Sequence, residues 1–232
     1  MSAIESARSY TLLMPRFAPS RRSFSGRTRT GWRAVELVLV FVGLPLAYRA
    51  GLFPGPMLAV LDAVALACAA VLLLDPTFDR RRLGGAGAVR RELAGIALRG
   101  VAAAAVIVLT VVALDPSALL GLPRRHLDRW ARLVVVYPVL SAWPQELLYR
   151  TYFFHRYRPL FGGGHALVAA STAAFSFLHV VFPNLVAIAL TIPAGLVLGW
   201  TYRRTGSLVV VTVEHALYGV LVFTLGLARY FV

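Results

Sequence analysis

Of 232 residues, 59% are hydrophobic and 15% charged, against about 45–50% apolar and about a quarter charged in soluble domains. That balance excludes an ordinary soluble enzyme and leaves room for one membrane-embedded bundle without a second large domain. The net charge of +14 rests on 24 basic residues, all arginine. They sit in a tail and in short loops between apolar runs, which points to the positive-inside rule and anionic lipid and away from nucleic acid.

In chain order, residues 1–33 are rich in Ser and Arg, with Glu5 as their one acid. They read as a basic, disordered cytoplasmic tail, a composition shared with organellar transit peptides. Residues 34–232 read as a single transmembrane helical domain. A requirement of about 20 apolar residues per crossing gives about seven spans, near 34–51, 56–75, 95–114, 131–154, 166–183, 185–202 and 207–230. The fold class is all-α, a polytopic transmembrane bundle. Arginines at 80–82, 90–91, 156, 158 and 203–204 fall on the side of the tail. This predicts a multi-pass protein of a prokaryotic inner membrane, with its N-terminus cytoplasmic and its C-terminus outside. The stretch Pro123–Arg132 puts arginines on the other side, as an interfacial helix or a sign that one earlier span is miscounted. Glu36 lies near the first span's end, and Asp62 deeper in the second. The single cysteine, Cys68, leaves no disulfide framework or cysteine metal site. No internal repeat is visible, which counts against a secondary transporter.

The later spans carry polar groups that lipid would reject. An ionisable residue at mid-membrane costs roughly 2.5–3.5 kcal/mol on insertion scales and marks a functional site by default. Gln145, Glu146 and Arg150 occupy the fourth span just after Pro144. Glu146 and Arg150, four apart, share a helix face, and Gln145 points about 100° away. Phe175 and His179 share a face in the fifth span, and Glu214 and His215 lie in the seventh. Two imidazoles and a carboxylate in an apolar bundle suit three kinds of chemistry. They can activate water, hold a zinc ion with an open position, or relay protons. Arg150 can hold Glu146 ionised or donate to an oxyanion. His155 and His165 read as solvated residues of a basic loop.

Gln145-Glu146-Leu-Leu-Tyr-Arg150, then Phe175-x-x-x-His179, then His215 resemble the signature of the CPBP (Abi) intramembrane proteases, which include the type II CAAX prenyl endopeptidases. The family pattern is Glu-Glu-x-x-x-Arg, Phe-x-x-x-His and His-x-x-x-Asn, and the resemblance covers about residues 130–230. It implies a helical bundle around a water-accessible cavity and hydrolysis of a peptide bond. Gln145 aligns with the family's first glutamate and Gly219 with its asparagine. An amide is no general base, and a missing oxyanion donor costs about 10²–10³ in rate. The resemblance then leaves Glu146 and His179 to activate water, Arg150 to orient Glu146, and His215 to stabilise the oxyanion, with Glu214 as another source of a carboxylate. No cofactor is implied; a zinc ion held by Glu146, His179 and His215 is the lesser option. The expected partners are the bilayer and a membrane protein or peptide substrate, with or without a lipid anchor. The alternative is an inactive scaffold, immunity or maturation factor on the same fold, and a transporter or proton relay comes third.

Overall fold

The computed structural model describes residues 24–231, and every regular element among them is helical, with no strand. The expected all-α bundle is what the chain forms. Helix α1 (Phe24–Val38) passes through a π segment, Leu39–Gly43, into α2 (Leu44–Arg49). Pro45, in the first turn of α2, has no N–H for the ladder, and the bonding widens to i→i+5 just ahead of it. The first helix thus begins ten residues before position 34, and residues 1–23 of the expected tail lie outside the described residues. Next come α3 (Met57–Leu74) and the long α4 (Ala86–Leu114). After the short α5 (Gly121–Arg125), one continuous helical column runs through α6 (Leu127–Tyr137), a π segment Pro138–Ala142, α7 (Trp143–Glu146), a π segment Leu147–Tyr152 and α8 (Phe153–Phe161). Helix α9 (His165–Leu178) ends in a single 3₁₀ turn, His179–Val181. Helix α10 (Leu185–Thr205) is capped by Asn184, and α11 (Leu208–Leu225) by Ser207, each side chain accepting from the backbone N–H three residues on.

Among the described residues, five helices are long and apolar enough to cross a membrane: Thr30–Arg49, Met57–Leu74, Gly87–Leu114, Leu185–Thr205 and Leu208–Leu225. These apolar helices make the chain an integral membrane protein. The expected spans at 131–154 and 166–183 are helical too, and each is enclosed by protein over part of its length. From Ser141 to Phe154 every residue except the half-buried Trp143 is buried, so this column meets protein and can carry charge. The apolar helix at His165–Val181 is shorter than the other five.

Two ends of the bundle are defined by bonds between loops. At one end Arg204 pairs with Glu92, Arg203 donates to the Gly163 carbonyl, Ser207 to that of Gly84, and His155 meets Asp75. The loop arginines at 80–82 and 203–204 gather there. At the other end Arg49 donates to the Val180 carbonyl, Asn184 to that of Tyr230, and Arg229 pairs with Asp115. His155 is therefore a fixed residue and not a solvated one: its Nε2 lies 2.9 Å from Asp75 Oδ2. That bond, with those from Thr77, holds the Asp75 carboxyl well below the usual carboxylate range. His165 packs edge-on against Trp200.

Glycines bring α9 and α10 together. A Cβ at Gly195 would stand 3.0 Å from Thr172 Cγ2 and 3.2 Å from the Phe175 ring, and one at Gly199 3.0 Å from Val168 Cγ1. This small-x-x-x-small spacing permits close backbone approach, and it fixes Phe175. On the opposite flank, the buried Phe41 meets Tyr149, Phe153 and Tyr157 edge to face. Glu36 accepts from Arg156, Tyr152 and Tyr157, clasping α1 to α8.

Candidate active site

The site is built on the inner column. Pro138 and Pro144 each remove a ladder N–H, and wide π bonding flanks the four residues of α7; single π turns are frequent at functional sites. On this column Tyr137, Ser141 and Gln145 recur every four residues along one face. All three line a cavity of about 550 Å³, together with His179, His215 and Phe175. The Gln145 amide nitrogen donates to Ser141 Oγ at 2.9 Å, and its carbonyl oxygen is buried without a partner.

Glu146 turns away from this face. It is fully buried and is not part of the cavity wall. Its Oε1 lies 2.7 Å from His215 Nδ1, and its Oε2 lies 3.4 Å from Arg150 Nε. The sequence expectation that Glu146 meets water directly therefore changes: the carboxylate stands one layer back, behind His215. Arg150 is fully buried as well, donating to Ser171 Oγ at 2.7 Å and to the Gly195 carbonyl at 3.4 Å. Its guanidinium sits 4.9 Å from the centre of the Phe175 ring, a cation–π contact strengthened by burial. Opposite charges in such a site each stabilise the other, and removing one leaves the other uncompensated.

The two histidines have matched surroundings. His179 Nδ1 lies 3.0 Å from the Phe175 carbonyl, which can only accept, so Nδ1 carries the proton and Nε2 the lone pair. His215 Nδ1 is held by Glu146, and its Nε2 lies 3.1 Å from the Tyr137 hydroxyl. Phe175 stands between the imidazoles, edge-on to both, at 5.2 and 5.5 Å between ring centres. The ring keeps the two bases on separate walls of one cavity.

This separation bears on the metal option. Among the described residues no three His, Cys, Asp or Glu side chains come together as a metal site. Glu146, His179 and His215 do not converge, because Phe175 intervenes and Glu146 is spent on His215 and Arg150. Glu214 does not supply a cavity carboxylate either. Although adjacent to His215, it points to α4, where Arg99 pairs with it at 2.5 Å and Tyr218 donates to it at 2.7 Å.

The sequence reading brought Gln145, Glu146, Arg150, His179 and His215 to one place, and they are together here. It missed Tyr137 and Ser141, whose signal was the four-residue spacing leading up to Gln145. Phe175, which the sequence places on one face with His179, partitions the site.

A family model described as type II CAAX prenyl endopeptidase Rce1-like matches residues 128–221. Searches of curated proteins and of solved structures found no match. Every residue of the constellation, from Tyr137 to Gly219, lies inside the matched stretch, and over that stretch the chain is similar to the CAAX-protease-like family of membrane endopeptidases.

Proposed function

We propose that this protein is an endopeptidase that cuts a membrane-associated peptide or protein segment within the bundle, using imidazole in place of a cavity carboxylate. The observation that carries the reading is the pair of histidines facing one mostly apolar cavity, each with Nδ1 already engaged. His179 is the base: Nε2 takes a proton from water as the water oxygen bonds to the scissile carbonyl carbon and the C=O electron pair moves to oxygen. The carbon–nitrogen bond then breaks, the pair leaves on nitrogen, and His179 returns the proton to it, giving an acid and an amine. His215, held by Glu146, stabilises the oxyanion, and Arg150 orients Glu146. Of the roles expected from sequence, those of His179, His215 and Arg150 are kept, and Glu146 acts through His215.

The apolar cavity and the matched family support a substrate presented from the bilayer, and a prenylated C-terminal peptide is the first probe to try. The arginine-rich end supports a cytoplasmic N-terminus in a prokaryotic inner membrane. The reading is tested with purified protein in liposomes and an internally quenched prenylated peptide. His179→Ala and Glu146→Gln are each expected to lower cleavage about 10²–10⁴-fold, the usual worth of a positioned acid–base group. Wild-type rates in both variants would overturn it.

A second reading has its own support, since Gln145 is an amide and neither Glu146 nor Glu214 lines the cavity. On that reading the fold binds a peptide without cutting it, as a scaffold, immunity or maturation factor. Saturable peptide binding with the peptide recovered intact is its expected result.

A further inference from the structure

We infer that Tyr137 is a catalytic residue, the hydrogen-bond donor that meets the negative charge developing on the scissile carbonyl oxygen; this rests on the endopeptidase reading. Three observations lead there. The Tyr137 hydroxyl is the outer member of a chain that begins at a fully buried carboxylate: Glu146 Oε1 to His215 Nδ1 at 2.7 Å, then His215 Nε2 to the phenol oxygen at 3.1 Å. Tyr137 lines the same cavity as His179, across Phe175 from it. Its ring also fills the space above Gly219. A Cβ built on that glycine would fall among the Tyr137 ring atoms and hydroxyl, so the corner holds a phenol or a side chain at 219, not both. Phe223 and His215 grip the ring edge to face, at 5.5 and 6.0 Å, so the hydroxyl is preorganised and needs no reorganisation when charge appears.

The chain also sets the direction of donation. With His215 singly protonated, Nδ1–H donates to Glu146 and Nε2 accepts from the phenol, which occupies its hydrogen. With both ring nitrogens protonated, Nε2–H donates to the phenol oxygen, and the O–H is free to donate into the cavity. In that second state Tyr137 passes the positive charge of the ring to the substrate oxygen as a charge-assisted hydrogen bond. The phenol needs no proton transfer of its own.

The test uses wild type and Tyr137→Phe in liposomes, with the quenched prenylated peptide and a matched peptide whose scissile amide is replaced by a phosphinate, an anionic mimic of the tetrahedral oxygen. Tyr137→Phe keeps the ring, and thermal unfolding followed at Cys68 is expected to match wild type. Expected results are a fall in kcat of about 10²–10³-fold with KM little changed, and loss of the wild type's preference for phosphinate over peptide. In a second pair, Tyr137→Ala is expected to regain part of its lost cleavage when combined with Gly219→Asn, which places an amide in the vacated corner. Wild-type cleavage with an unimpaired Tyr137→Phe would overturn this inference alone. A wild type that neither cleaves the peptide nor prefers the phosphinate would overturn the endopeptidase reading, and the inference with it.

Discussion

Residues 145 and 146 differ by about 100° of helix rotation, and that angle divides their surroundings. Gln145 borders the cavity beside Ser141, with a buried carbonyl oxygen left without a partner. Glu146 is enclosed between His215 and Arg150. Restoring a carboxylate at the cavity position gives a direct prediction: Gln145→Glu puts a second base on the cavity wall, on the helix face that also carries Tyr137. Cleavage of the quenched peptide is expected to rise by up to about 10²-fold, the lower range for general base catalysis. A fall would mean that the new charge opposes the oxyanion. At this scale much of the site was legible, because charge inside an apolar run is conspicuous wherever it occurs. Gln145, Glu146, Arg150, His179 and His215 were found that way. Tyr137 was not, since a tyrosine on a membrane helix is unremarkable until the glycine opposite it is seen to leave room for the ring. Nor could sequence tell that Glu214 turns to Arg99 while its neighbour His215 turns to Glu146.

Among the elements, the α9–α10 contact governs the site's shape. Gly195 presses on Thr172 and Phe175, and its carbonyl accepts from Arg150; Phe175 in turn divides the two imidazoles. A methyl group at 195 must displace Thr172 or Phe175. Gly195→Ala is accordingly expected to cost about 1–3 kcal/mol, the usual range for overpacking, and to slow cleavage by moving Phe175. Gly199→Ala meets the end of the Val168 side chain, which can rotate, and is expected to cost less. A thiol-reactive dye reads both, because the single, buried Cys68 becomes reactive as the bundle unfolds. The positions of the helices were legible from apolar runs and turn residues. The π segments at 138–142 and 147–152 were not: the prolines announce a loosened helix, but which carbonyls the ladder skips depends on what packs around it.

At the scale of the whole molecule, seven passes were expected, and five described helices are long and apolar enough to cross by themselves. The difference is physical. The stretch of the column that carries the site, Ser141–Phe154, is enclosed by protein, so its sequence is free of the demand that lipid makes on a surface helix. This has a consequence for how the chain is made. A nascent column at 127–161 would bring Glu146 and Arg150 to the membrane at a cost of roughly 2.5–3.5 kcal/mol each on insertion scales, while His215, the partner of Glu146, lies 69 residues further on. Until α11 emerges from the ribosome, nothing on the chain can satisfy that carboxylate fully. A chain stopped after Thr205 is expected to leave the 127–161 segment exposed to protease in a microsomal or inverted-vesicle translation, and one reaching residue 232 to protect it. Helix α11 is then the piece that commits the earlier charged pass to the membrane, and biogenesis runs against the order of the sequence.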